Sequence, residues 1–125
     1  MATIDINDSS FNDTITDNEI VLVDFWADWC GPCKRFAPIY EKASAAHGDI
    51  VFAKVDTDAN PQLSGAFDIQ AIPTLMAFRE NVLVFSQPGA MAAQGLQEVI
   101  DAVKGLDMEK VHQDVADLQA QHGEK

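Results

Sequence analysis

Cysteine is scarce in this chain of 125 residues, which has only two, and both stand between residues 29 and 34. The three histidines, His47, His112 and His122, are isolated from that pair and from one another, at spacings that fit neither a zinc finger nor a zinc ribbon. Lys34 follows the second cysteine, where covalent haem attachment would require a histidine. The sequence therefore disfavours a zinc site, excludes c-type haem and predicts no bound metal.

Basic residues and long apolar runs are scarce as well. Eight lysines and arginines stand against twenty aspartates and glutamates, and the formal net charge of −12 repels phosphate backbones, so nucleic-acid binding is not expected. The N-terminal residues contain neither a basic region nor a continuous apolar stretch, which predicts no signal peptide and no membrane association. The predicted compartment is the cytoplasm, where a lone pair of cysteines is more often redox-active than architectural.

The two cysteines lie in residues 29–34, Trp-Cys-Gly-Pro-Cys-Lys, between a strand-like run and a helix-like pattern. Two thiols at this spacing can form a small disulfide ring, and the second thiol can resolve a mixed disulfide formed by the first. Cys30 falls at a helix N-terminus, where backbone N–H groups favour a thiolate, and Lys34 and Arg35 add positive charge nearby. A structural disulfide is the alternative, although so short a loop removes little entropy from the unfolded chain.

Hydrophobic patterns predict a single α/β domain with a five-stranded sheet. The run at 20–26 is rich in β-branched and aromatic residues without alternation, which is typical of a central strand covered on both faces. Asn60 before a proline predicts a capped helix start, and Asn81 is best suited to positive φ in a hairpin turn. The predicted strands are residues 3–6, 20–26, 50–55, 74–78 and 82–86, and the predicted helices are residues 8–16, from the cysteines to about 46, 60–67 and 92–103. This order predicts a mixed sheet with helices on both faces and a site at the C-terminal end of the central strand.

The C-terminal residues 106–125 predict a further amphipathic helix beyond a domain at 1–105. Asp107 can cap it, His122 falls in its last turn and Gly123 is a stop signal. Its apolar positions are Met108, Val111, Val115 and Leu118. A helix of about 15 residues is marginal alone in water, so we expect this stripe to pack on the domain itself, with a partner protein or a second copy as the alternative.

Residues 23–34 resemble the active-site sequence of the thioredoxin family. Further matches at 53–56, 60–61, 72–74 and 88–90 fall in the family's order and spacing, so the resemblance covers roughly residues 3–104. It implies a thioredoxin fold, with a central mixed five-stranded sheet flanked by helices, to which this chain adds the C-terminal helix. It also implies a protein-disulfide reductase that binds no cofactor, acts as a monomer on disulfide-containing client proteins, and receives electrons from NADPH through a flavin-dependent thioredoxin reductase.

The resemblance also assigns roles to individual residues. It makes Cys30 the exposed attacking thiol, Cys33 the more buried resolving thiol, and Asp24 a general base that acts on Cys33 through water, with Lys54 facing that carboxylate. Burial of Asp24 should raise its pKa. The residues expected to line the substrate groove are Trp26, Trp29, Gly31, Pro32, Ile72, Pro73 and Gly89. Pro73 resembles the family's cis-proline, an assignment that the sequence alone does not give.

Other interpretations remain open from the sequence. Asp24 could be a hydrogen-bonded aspartate without a chemical role, and Lys54 a solvated strand residue. The fold could serve as a scaffold or regulatory subunit, or as a disulfide oxidase or isomerase, although the absence of a histidine between the cysteines favours a reductant. Ala71, Asn81 and Pro88 depart from common family residues, and Pro88 removes a backbone amide beside the expected groove.

Overall fold

The computed structural model describes residues 3–123, which form five strands and five helices in the order expected from the sequence. Their bounds are β1 Thr3–Asp5, α1 Phe11–Asp17, β2 Ile20–Trp26, α2 Gly31–Ala46, β3 Val51–Asp56, α3 Pro61–Ala66, β4 Thr74–Arg79, β5 Val82–Pro88, α4 Ala93–Lys104 and α5 Met108–Gly123. Within residues 3–123, no helix combines the length and the apolar character needed to cross a membrane.

The five strands form one mixed sheet in the order β1-β3-β2-β4-β5. β1, β3 and β2 are mutually parallel, whereas β4 runs antiparallel to both β2 and β5. β2 is central and every residue in it is buried except Trp26, as its continuous apolar run predicted. Because β2 and β3 are parallel neighbours, their C-terminal ends meet at one edge of the sheet, and the segments that follow them lie together there.

Helices cover both faces of the sheet and bury two apolar cores. Alternate residues of β2 point to opposite faces, so Leu22 belongs to the core under α2 and α4, while Val21 and Val23 belong to the core under α1 and α3. Tyr40 of α2 is fully buried and its hydroxyl donates to the Ala53 carbonyl oxygen at 2.8 Å. Asp24 is two residues beyond Leu22, so its carboxyl lies on the face that α2 and α4 cover.

The predicted start of α3 is confirmed, with Asn60 at the N-cap and Pro61 in the first turn, but the predicted cap by the Asn60 side chain is wrong. Asn60 makes no side-chain capping bond to α3; its Oδ1 instead accepts from the Asp8 backbone N–H at 3.0 Å. Asp8 Oδ1 in turn accepts from the Leu63 N–H at 3.1 Å and caps α3 from a distant part of the chain. The helix α1 begins at Phe11 rather than at the predicted residue 8, so Asp8 lies before this helix.

The β4–β5 hairpin turns through Glu80 and Asn81, which both have positive φ, 51° and 67°. This is the geometry of a two-residue type I′ turn, and it confirms the positive φ expected at Asn81. Glu80 adopts the same region without the side-chain advantage of asparagine. Its side chain has a partner, however, because Glu80 Oε1 lies 2.7 Å from His112 Nε2 of α5.

The C-terminal helix α5 packs on the domain only through its first half. The Asp107 carboxylate accepts from the Lys110 N–H at 3.3 Å, which confirms the predicted cap. Met108 is buried, Val111 and Val115 are half-buried, and Leu118 is 55% exposed. The predicted packing on the domain's own surface therefore holds near the β4–β5 turn and not for the later part of the apolar stripe.

Candidate active site

A disulfide between Cys30 and Cys33 lies at the N-terminus of α2, with its Cα atoms 5.2 Å apart. Cys30 is the N-cap residue in extended conformation, and its Sγ accepts from the Cys33 backbone N–H at 3.1 Å. Pro32 occupies the first turn, where its missing N–H costs nothing. Because a helix N-terminus favours negative charge, we expect this position to stabilise a thiolate at Cys30 once the disulfide is reduced.

The expected contrast in exposure between the two cysteines is absent from this disulfide form. Cys30 and Cys33 are each 3% exposed. The carbonyl oxygen of Ile72 lies 3.6 Å from Cys30 Sγ, so the loop before Pro73 covers this sulfur from one side. The prediction of an exposed Cys30 is therefore wrong for this form, because neighbouring chain segments cover a sulfur that helix position alone would leave open.

Three chain segments meet around the disulfide. Thr74 pairs with Phe25 on one side and Pro88 on the other, which holds the preceding Ile72–Pro73 bond at the edge where β2 ends. That bond is cis, as the family resemblance suggested for Pro73. The Pro73 carbonyl accepts from the Gly89 N–H at 2.7 Å, and Gly89 has a φ of 100°, a conformation that side chains rarely adopt.

An open groove of about 420 Å³ runs beside the disulfide. Trp29 forms one wall, is 70% exposed, and donates from Nε1 to Asp58 Oδ2 at 3.0 Å. The groove is lined by Trp29, Thr57, Ser64, Ile69, Gln70, Ala71 and Ile72. Of these lining residues only Trp29 and Ile72 were among the predicted site residues, and Asp58 was not predicted either. The signal for Thr57 and Asp58 was their position directly after β3, at the edge where parallel strands end. Gly31 and Pro32 are both exposed on the surface beside the disulfide.

Asp24 is a buried carboxyl without a hydrogen-bond partner. Its side chain belongs to a residue only 1% exposed, and neither carboxyl oxygen has a partner in the described part of the chain. Burial raises the pKa of Asp24 from 3.8 to about 7, and the positive charge of Lys54 offsets part of that rise. With its raised pKa, the carboxyl can gain or lose a proton near neutral pH.

Lys54 is placed by the sheet to act on this carboxyl. It pairs in register with Asp24 across β2 and β3, so the two side chains share one face. Its Nζ lies 4.7 Å from the centre of the Trp26 ring, and the residue is half-buried. Lys54 is thus held over an aromatic face rather than freely solvated, and Trp26 contributes to positioning the charge.

Of the groove residues predicted from the sequence, Trp29 and Ile72 line this groove. Trp26 lies under Lys54 instead, and Pro73 and Gly89 are joined by their backbone hydrogen bond. Lys34 and Arg35 are exposed on the first turns of α2, and one Arg35 guanidinium nitrogen lies 3.6 Å from where a Cβ of Gly31 would be. In the part of the chain that the structure describes, no three histidine, cysteine, aspartate or glutamate side chains are grouped so that they could hold a metal ion. The chemistry available at this edge is that of two sulfurs, a carboxyl and nearby cations.

Comparisons with known proteins agree with this geometry. The family model described as Thioredoxin matches residues 2–102. The "Putative thioredoxin 2" of Streptomyces coelicolor is 54% identical over 122 residues, which cover 98% of this chain and 91% of that relative. The "Bifunctional thioredoxin reductase/thioredoxin" of Mycobacterium leprae is 41% identical over 108 residues, 84% of this chain and 24% of that protein. The solved structure of Plasmodium falciparum thioredoxin superposes with a TM-score of 0.74 at 36% identity, covering 80% of this chain and 97% of that one. The chain therefore belongs to the thioredoxin family, and it is a thiol-disulfide oxidoreductase.

Proposed function

We propose that the protein reduces disulfides in client proteins, with Cys30 as the attacking thiolate and Cys33 as the resolving thiol. The observation that carries this assignment is the Cys33 N–H aimed at Cys30 Sγ at 3.1 Å on the N-terminus of α2. Attack by the Cys30 thiolate forms a mixed disulfide and releases one client thiolate. Attack by Cys33 on Cys30 Sγ then releases the second client thiolate and forms the intramolecular disulfide, so two electrons pass to the client.

Asp24 is proposed as the base that takes the proton from Cys33 before this second attack. Cys33 lies in the first turn of α2, and α2 packs on the sheet face that carries Asp24. A carboxyl with a pKa of about 7 is partly ionised at neutral pH and can accept a proton through an intervening water. Lys54 lowers that pKa from the value burial alone would give, and so keeps a useful fraction of the base ionised.

The substrate groove is proposed to bind the client chain on both sides of the attacked sulfur. We assign Trp26, Trp29, Gly31, Pro32, Ile72, Pro73 and Gly89 to client binding. Trp29 and Ile72 line the groove, and the exposed Trp29 indole supplies an apolar wall. Pro88 offers no backbone N–H beside this groove. We therefore expect client binding to depend more on side-chain contacts here than on main-chain pairing at Pro88.

Electrons are proposed to come from NADPH through a flavin-dependent thioredoxin reductase, while this chain itself binds no cofactor. Support comes from the Mycobacterium leprae relative, whose name joins a thioredoxin reductase and a thioredoxin in one protein. The Gly31–Pro32 pair between the cysteines lacks a histidine that would favour the reduced form and make the protein an oxidant. We propose a cytoplasmic, monomeric reductant, with residues 1–105 as the catalytic domain and 106–125 as an accessory helical extension.

Coupled turnover tests this function. Purified protein, NADPH and a thioredoxin reductase should reduce a model protein disulfide, with NADPH consumption that depends on all three components. Measurement of the reduction potential against a glutathione series separates a reductase from an oxidase or isomerase. Turnover that continues unchanged when both cysteines are replaced by serine would leave only a scaffold role for the fold.

A further inference from the structure

The lysine and arginine side chains of this acidic protein differ in whether they have a partner. The structure describes seven of the eight lysines and arginines, all but Lys125. Four of them are engaged: Lys54 over the Trp26 ring, Arg79 with the carbonyls of Val103, Lys104 and Leu106, Lys104 with Asp49, and Lys110 with Asp114. Among residues 3–123, the other three, Lys34, Arg35 and Lys42, form no salt bridge and are exposed on α2.

Two of these cations share one face of α2 with apolar residues. Arg35, Ile39, Lys42 and Ala46 are spaced by four, three and four residues, which places them in one row along the helix. Arg35 is at the upper end of this row, beside the disulfide, because its guanidinium lies 3.6 Å from where a Cβ of Gly31 would be. This row, with its two cations Arg35 and Lys42, therefore runs along α2 away from the disulfide.

This row borders an apolar groove between α2 and α4, with a volume of about 450 Å³. The groove, which we call the α2–α4 groove, is lined by Pro38, Ile39, Lys42, Ala43, Ala46, Ala93, Leu96 and Gln97. Its alanines leave room for larger side chains of another molecule. At its lower end His47 Nε2 lies 3.0 Å from Gln97 Oε1 and joins the two helices. The α4 wall contributes no carboxylate; Asp101, one turn below, accepts from Gln97.

We propose that the α2–α4 groove binds an acidic, aliphatic segment of the disulfide client, with client carboxylates on Arg35 and Lys42 and aliphatic side chains in the groove between them. This proposal rests on the proposed reductase function and names the class of client that it favours. Charge complementarity carries it, because these unpaired cations border an apolar groove on a chain of net charge −12.

The helix geometry sets where the client's charges must lie. Lys42 is seven residues beyond Arg35, which corresponds to about 10 Å along the axis of α2. An extended client chain covers that distance in about three residues. The preferred client therefore carries one acidic residue next to the attacked cysteine and another about three residues further on, with aliphatic residues between.

Synthetic peptides test this preference directly. Each peptide carries one cysteine as a mixed disulfide with thionitrobenzoate, and the acidic peptide has glutamates beside the cysteine and four residues away, with leucines between. Its matched control has glutamine in place of each glutamate. Each peptide is made in two versions, with this segment on the N-terminal or on the C-terminal side of the cysteine. The reduced protein converts each mixed disulfide to two free thiols while its own cysteines form a disulfide, and released thionitrobenzoate gives the second-order rate constant.

At low ionic strength we expect the acidic peptide to react about fivefold to tenfold faster than its glutamine control in one direction, and the ratio to approach one in high salt. The double variant Arg35→Gln, Lys42→Gln should bring the ratio close to one. Ala93→Glu, which adds a carboxylate to the groove at a helix start that tolerates it, should do the same. Lys110→Gln is the matched control for Ala93→Glu, since each makes the net charge more negative by one, but it does so on α5 and should keep the parent's ratio.

The outcomes separate this proposal from the function on which it rests. A parent ratio near one in both directions, with both peptides reduced, overturns the docking proposal and leaves the reductase function standing. A ratio that persists in the double variant or in Ala93→Glu also overturns it, because another surface would then select the acidic peptide. Failure to reduce either peptide contradicts the reductase function itself.

Discussion

Replacing Asp24 by asparagine keeps the size of the buried side chain and removes its titration, so the effect on stability should depend on pH. In the folded protein the pKa of Asp24 is about 7, whereas the unfolded chain ionises near the ordinary value of 3.8. Because the folded state resists ionisation that the unfolded state permits, the parent loses stability as pH rises between these values. A difference of this size corresponds to about 4 kcal/mol in total.

The effect is best measured between pH 5 and pH 8, where the protein is well above its sequence pI of 4.3. Part of the loss has already occurred by pH 5, so about 3 kcal/mol remains across this interval. Urea unfolding of parent and Asp24→Asn at both pH values should show the variant's relative stability increasing by about that amount. Parallel pH profiles for the two proteins would refute the raised pKa of Asp24 and with it the proposed base.

Three further predictions concern Lys54, the helix α5 and Gly89. Lys54→Met removes the charge that lowers the pKa of Asp24, so the loss of stability with rising pH should continue above pH 7 in the variant. A stability loss that levels off at the same pH in variant and parent would show that Lys54 does not act on the carboxyl. Truncation after Gly105 removes the buried Met108 and should lower the melting temperature by about 5 to 10 °C while leaving the peptide reduction rate nearly intact; a slowed rate would place α5 in the exchange reaction. Gly89→Ala forces a side chain into a φ of 100° and should cost about 1 to 2 kcal/mol in urea unfolding, and an unchanged midpoint would contradict the strain.

The sheet and its helices could be predicted because their signals are local. The continuous apolar run of β2 identified a central strand, and the spacing of buried residues such as Phe36 and Tyr40 identified α2. Asn81 was identified as a turn residue because few side chains tolerate positive φ. These features depend on residues that are close in sequence, so one amino-acid sequence is enough to predict them.

The features that could not be predicted depend on contacts between distant segments. Asn60 has the residue type of a helix cap, yet its side chain bonds to Asp8, more than fifty residues away, and Asp8 caps α3 instead. The coverage of Cys30 likewise comes from the Ile72 carbonyl, which reaches the sulfur only when β2 and β4 pair. Long-range partners of this kind leave no pattern in the local sequence.

The reacting groups of the site could be predicted from the sequence, whereas the surfaces around them could not. The cysteine pair and the strand aspartate could be read from residue type and position, and Lys54 and Pro73 were added by family resemblance. The Trp29–Asp58 hydrogen bond and the α2–α4 groove appear only once helices and strands are packed. Residue chemistry identified the reacting groups, whereas the surfaces that select a client required the fold.

The division of roles between Cys30 and Cys33 is the central claim, and trapping of the mixed disulfide tests it most directly. The reduced Cys33→Ser variant is mixed with a peptide bearing the thionitrobenzoate disulfide, and intact-protein mass spectrometry follows the product. We expect a stable adduct on Cys30 with no second thiol release, and no comparable adduct with Cys30→Ser. An adduct that forms on Cys33 of Cys30→Ser at an equal rate, or none on Cys33→Ser, would contradict the assignment.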